Sequence, residues 1–252
     1  LVFALACSFP GLATAQGGQV KALTFDVYGT LISWEAVEKA VADLFQKKGI
    51  GADPKAFNLL WRSKQLQYTM LNTMIGKGFE PLILLTRKAL RTAAAFQGVP
   101  LTKEEEERLA QVWIREVEPY PDVVEGLKAL KKLGYLMTPL TNGDSEMVRI
   151  GVVEGLAKRG FQFDTSLTAD LWGVYKPHPE IYLKSIAKLG LKPEEVIHVC
   201  RAQFDIFGAK AAGLKVAWIN RGREPLEAYG FQPDWIANDL LELAEILERE
   251  RP

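Results

Sequence analysis

Two cysteines and two histidines are all that the 252 residues contain of the side chains that most often bind transition metals. Cys7 and Cys200 lie far apart, and Cys7 falls in an apolar leader-like segment, so neither a disulfide framework nor a thiolate zinc site is expected. His178 and His198 are too few for a histidine-rich metal centre. Surplus charge is also absent. Lys+Arg and Asp+Glu both number 31, a balance unlike the basic excess of a dedicated nucleic-acid binder. The charged runs are short and mixed, as in KKLGY and EEEER, and read as solvated helix faces. The apolar run LVFALACSF is too short to cross a bilayer. A composition of 48% hydrophobic and 25% charged residues is that of an ordinary globular protein, long enough for one large domain or a core with an insertion.

The first residues carry a separate signal. LVFALACSF is followed by PGLATAQGG, where Ala13 and Ala15 form an A-x-A cleavage pattern. Residues 1–15 read as the remnant of an export signal, which predicts a periplasmic or secreted protein; without a signal the protein is expected in the cytoplasm. An apolar N-terminal strand or a misplaced start is the competing reading. A lipoprotein reading at Cys7 is weaker, because Ala4 stands where a Leu is expected.

What is present is rhythm. Residues 20–25 form a buried-strand pattern that ends on Asp26, with Gly29 and Thr30 as the turn. Residues 34–49 repeat apolar positions at helical spacing and close on Gly49. A longer helix follows, with Asp53 as N-cap and Pro54 at its first position. EPLILLTRKALRTAAAFQG and TKEEEERLAQVWIREV add two more, so residues 34–114 hold no convincing strand. After PYPD, strands and helices alternate: VVEGLKALKKLG, YLMTPLTNG, SEMVRIGVVEGLAKRG, FDTSLTADLWG, PEIYLKSIAKLG, VIHVC, FDIFGAKAAG and KVAWIN. Such alternation predicts an α/β fold, a doubly wound parallel (Rossmann-like) sheet. Its domains are a core of residues 18–33 and 115–252 and an inserted all-helical cap of residues 34–114. Ligands of such sheets sit beyond the carboxyl ends of the strands. There the sequence places Asp26, Thr141-Asn142, Lys176 and Asp205. A carboxylate at a buried strand end is costly unless it has a task.

These residues resemble the haloacid dehalogenase (HAD) superfamily, and within it the type II L-2-haloacid dehalogenases. The superfamily motifs are matched by DVYGTL, PLTNG, YKPHPEIY and HVCRAQFD. The dehalogenase branch is matched by Tyr28, LWRSKQLQYT, LTNG, VYKP, WINR and PDW, over residues 20–240. Superfamily phosphatases usually carry a second Asp where Tyr28 stands, and place another metal-binding acid near Arg201. A phenol of ordinary pKa about 10 is a poor general acid, and a guanidinium repels a divalent cation. The resemblance therefore implies chemistry without metal or other cofactor.

It also implies roles. Asp26 is the nucleophile that displaces halide and forms an ester, later hydrolysed at the Asp26 carbonyl. Lys176 keeps Asp26 ionised and Asp205 orients Lys176. Arg62 receives the departing halide. Thr30 and Tyr182 complete the catalytic set, with Tyr182 expected to hydrogen-bond around the nucleophile. Thr141 and Asn142 bind the substrate carboxylate, while Tyr28, Leu66 and Phe204 form an apolar wall. The implied substrate is a short (S)-2-haloalkanoic acid, turned over to the (R)-2-hydroxy acid with halide as second product. A homodimer touching through the cap is also implied.

Some residues depart from the family pattern. Cys200-Arg201-Ala202 replaces the usual Ser-Ser-Asn or Ala-Ser-Asn, so an amide expected near the site is missing at Ala202. Cys200 reads as a small core residue. Arg201 either assists anion binding or points outwards. Two other functions stay open at this level. One is an Asp26-dependent hydrolase with a different leaving group, phosphate or a strained ring amine. The other is a non-catalytic HAD-like binder of small carboxylates.

Overall fold

A computed structural model describes residues 19–251; the leader-like segment with Cys7, Ala13 and Ala15 lies outside the described residues. The core is a six-stranded sheet of β1 (Ala22–Phe25), β2 (Leu136–Thr141), β3 (Leu167–Thr168), β4 (Val196–Cys200), β5 (Lys215–Ile219) and β6 (Trp235–Ala237). The spatial order is β3-β2-β1-β4-β5-β6, and every pairing is parallel. Strand order reverses beside β1, the place where an open α/β sheet leaves a crevice.

Alternation along the strands divides the core in two. Leu23, Phe25, Met137, Ile197, Val199 and Ala217 face a layer formed by α5 (Val123–Lys132), the helical segment 145–157 and α10 (Leu240–Arg249). Ala22, Leu140, Val196, Cys200, Val216 and Trp218 face the other layer, with α8 (Pro179–Lys188) and α9 (Gln203–Ala211). The segment 145–157 reads from sequence as one helix. In the structure a π-helical stretch, Arg149–Val153, separates α6 (Ser145–Val148) from α7 (Glu154–Ala157). β6 and α10 were not expected from the sequence.

Between β1 and α5 come α1 (Glu35–Lys48), α2 (Pro54–Ile75), α3 (Leu82–Gln97) and α4 (Lys103–Arg115). Their ends follow the chemistry of the chain. Asp53 accepts from the Lys55 amide at the start of α2, Thr102 and Glu105 form a capping box on α4, and Gly49, Gly76 and Gly98 close α1 to α3 with positive φ. An aromatic cluster joins this cap to the core: Trp34 and Trp113 lie 4.9 Å apart, Trp61 and Trp113 5.7 Å, and Tyr28 and Trp34 6.0 Å. A core carboxylate also starts a cap helix. Asp144 accepts from the amides of Leu82 (2.7 Å) and Ile83 (3.1 Å) in the first turn of α3.

Candidate active site

Asp26 follows β1 directly, and its side chain is 13% exposed. Gly29, at φ 91°, turns the chain back sharply enough for Thr30 to reach it. The Thr30 hydroxyl donates to Asp26 Oδ2 at 2.7 Å and accepts the Arg201 amide at 2.9 Å. Lys176 Nζ stands 3.2 Å from Asp26 Oδ1 and 2.7 Å from Asp205 Oδ2, with 1% of its side chain exposed. Burial alone would push this ammonium down. Asp205 and then Asp26 outweigh that effect and hold its pKa above the ordinary lysine value. Burial likewise opposes ionisation of Asp205, yet His198 and Lys176, by charge and hydrogen bond, hold its pKa well below the usual carboxylate range. The result is a buried carboxylate–ammonium–carboxylate row.

The other expected residues sort clearly. Asn142 Oδ1 accepts the Lys176 backbone amide at 2.8 Å, and Thr141 Oγ1 accepts the Gly143 amide at 3.1 Å. Both residues line a cavity of about 370 Å³ together with Asp26, Tyr28, Leu66 and Phe204. Arg62 lines it from α2, its guanidinium 3.5 Å above the Trp34 ring. Among the described residues no carboxylate pairs with Arg62. Burial first, and then Arg201, lower its pKa to about 10, so it stays charged at neutral pH. The indole nitrogens of Trp34 and Trp113, also cavity residues, have no hydrogen-bond partner among the described residues.

Tyr182 requires a correction. Its hydroxyl donates to Asp205 Oδ1 at 2.6 Å, with Asp205 and Lys176 standing between it and Asp26, because α8 lies against α9 rather than against the β1 turn. Tyr28 is driven well above the ordinary tyrosine value by burial, then by Asp144 and Asp26, which suits a neutral wall and not a proton donor. Arg201 pairs with Glu224 at 2.8 Å and does not line the 370 Å³ cavity, although it lies near enough to Arg62 to lower its pKa. Cys200 is wholly buried, and burial pushes its thiol far above the ordinary value, as expected of a core residue.

Sequence reasoning missed two parts of the site. His198, read only as a strand residue, is buried against Asp205 Oδ1 at 3.0 Å. Its signal was a lone polar residue inside the apolar run VIHVC, which must find a partner when buried. Arg221 donates to the Thr30 carbonyl at 3.0 Å and pairs with Asp122, whose Oδ2 also accepts the Leu240 amide at 3.0 Å. Arg221 ends the WINR motif and Asp122 the PYPD stretch, but neither local sequence says that they meet, since the link joins three distant segments.

Known proteins resemble this chain in sequence and in fold. A family profile for haloacid dehalogenase-like hydrolases matches residues 20–213. The (S)-2-haloacid dehalogenase 4A of Burkholderia cepacia is 33% identical over 91% of this chain and 96% of its own length. The (S)-2-haloacid dehalogenase 1 of Pseudomonas sp. strain CBS-3 is 33% identical over 91% and 97%. The solved L-2-haloacid dehalogenase of Xanthobacter autotrophicus with chloropropionic acid covalently bound superposes with a TM-score of 0.79, at 27% identity, over 92% of this chain and 100% of that one. Profile, relatives and fold agree, and the chain belongs to the haloacid dehalogenase-like hydrolase family, on its L-2-haloacid dehalogenase branch.

Proposed function

We propose that the protein hydrolyses short (S)-2-haloalkanoic acids to (R)-2-hydroxy acids through an ester on Asp26, without a metal ion. The observation that carries this reading is the pairing, in one cavity, of Asp26, 3.2 Å from the Lys176 ammonium, and an Arg62 with no carboxylate partner among the described residues. A carboxylate oxygen of Asp26 attacks the carbon bearing the halogen from the side opposite the C–X bond. The C–O bond forms as the C–X bond breaks, and halide leaves with the bonding pair toward Arg62, whose charge stabilises the transition state. The substrate carboxylate is received at Thr141 and Asn142. Water then adds to the Asp26 acyl carbon and the acyl–oxygen bond breaks. The hydroxy acid departs, the Asp26 carboxylate is restored and one proton is released. The first step inverts the carbon and the second does not touch it, so S becomes R. The covalently bound chloropropionic acid in the Xanthobacter relative supports the ester.

Two further points belong to this proposal. Leu59, Met74, Ile75 and Phe96 expose apolar side chains on α2 and α3, and a homodimer through the cap would cover them. Export is proposed on the Ala13/Ala15 pattern, and N-terminal sequencing of the mature protein tests it.

The test of function is halide release from (S)- and (R)-2-chloropropionate in the presence of a chelator, beside an Asp26→Asn control. Release from the S enantiomer alone, abolished in the variant, is the expected outcome. Turnover that requires magnesium, or reversible binding without a mass adduct on Asp26, would overturn it.

A further inference from the structure

His198 has no part in the chemistry above, although it is buried within the catalytic row. Thr24 and His198 are register partners on β1 and β4, and both are 0% exposed. His198 Nδ1 lies 2.8 Å from Thr24 Oγ1, and Nε2 lies 3.0 Å from Asp205 Oδ1 and 3.4 Å from Lys176 Nζ. An ionised carboxylate can only accept, so the 3.0 Å contact requires a hydrogen on Nε2. Nδ1 is left to the Thr24 hydroxyl, which serves it as donor or acceptor. The opposite tautomer would set a ring lone pair against the lone pairs of Asp205. The partners thus assign the proton to Nε2.

Asp205 consequently has three donors: Lys176 on Oδ2, and Tyr182 and His198 on Oδ1. Two donors on opposite oxygens leave a carboxylate able to rock; the third fixes its plane. We propose that His198 is a positioning residue for the dehalogenation reading above, its Nε2–H holding Asp205 so that Lys176 is set against Asp26. The charged and titratable groups facing Asp205 are Lys176, His198, Tyr182, Cys200 and Asp26. Loss of the imidazole donor makes Asp205 easier to protonate, which moves the acid limb of activity to higher pH.

The experiment compares full-length wild type with His198→Gln, His198→Asn and His198→Phe. A Gln amide reaches the position of Nε2, whereas an Asn amide reaches that of Nδ1 and serves Thr24 alone. In the Asn and Phe variants kcat for (S)-2-chloropropionate falls by roughly tenfold to a hundredfold, the scale set by misplacing a catalytic group by about 1 Å. KM changes little and the acid limb rises. The Gln variant keeps most of kcat and the wild-type pH profile. Equal losses in Gln and Asn, or unchanged kcat in all variants, overturn the proposal. If the Phe variant does not fold, the Gln–Asn comparison decides alone. A second readout is independent of turnover: the Asp205 carboxyl ¹³C resonance, assigned with Asp205→Asn, titrates at higher pH in the Asn variant than in wild type and His198→Gln. Identical titrations overturn the proposal. A wild type that releases no halide overturns the dehalogenase reading and leaves this comparison standing.

Discussion

Lys176 is the only cation within hydrogen-bonding distance of both Asp26 and Asp205 among the described residues. Removing one partner of a buried pair leaves uncompensated charge, at a cost of about 3–5 kcal/mol. Lys176→Met is therefore expected to lose halide release and to lower stability by about that amount, read from urea unfolding. The two signs of pKa shift place these contributions at opposite ends of the pH scale. Asp205 ionises in the folded state below its unfolded value of about 3.9, so its contribution is complete above that value and is lost as pH falls through the folded pKa. Lys176 is raised above about 10.4, so its contribution is complete below that value and is lost as pH climbs through the folded pKa. A stability plateau between these limits follows. In Asp205→Asn the acid-side slope of the urea midpoint should flatten; an unaltered slope would show that Asp205 is not the group responsible.

Among elements, α3 depends on a residue outside the cap. Its N-cap position is Pro81, which offers no capping side chain, and Asp144 supplies the missing acceptor from the loop after β2. Asp144→Ala should cost about 1 kcal/mol, as for a lost helix cap. It should also raise KM more than it lowers kcat, since Leu82 at the start of α3 lines the cavity. Steady-state kinetics on the S substrate separate the two parameters. Gly208 poses the opposite problem within α9: a Cβ there would stand 2.7 Å from Tyr182 Oη. Gly208→Ala is expected to cost about 1–3 kcal/mol by overpacking and to lower kcat by displacing Tyr182 from Asp205. Most elements were legible in the sequence because central parallel strands must be continuous apolar runs and the cap helices carry their own stop signals. β6 was not, being three residues long at a sheet edge with Ile236 55% exposed. α10 could have been found: Asp239 caps it, and Leu240, Leu243, Ala244 and Leu247 follow at helical spacing. The strand-end site residues were legible for the same reason as the strands. The partner of Tyr182 was not, because it depends on how α8 lies against α9.

For the whole molecule, the cap carries the most exposed of the large apolar side chains among the described residues, with Met74 82% and Phe96 72% exposed. A protein proposed to dimerise through that surface should sediment as a dimer. Met74→Glu combined with Phe96→Glu should shift it to a monomer while kcat changes little; a wild type that is monomeric at micromolar concentration would remove the proposal. The last helix has a wider reach than its distance from the cavity suggests. Its first amide and Arg221 share the Asp122 carboxylate, and Arg221 grips the carbonyl of Thr30, whose hydroxyl steadies the nucleophile. Shortening the chain's tail, even well clear of any substrate, would slacken the tether on the turn that aims Asp26.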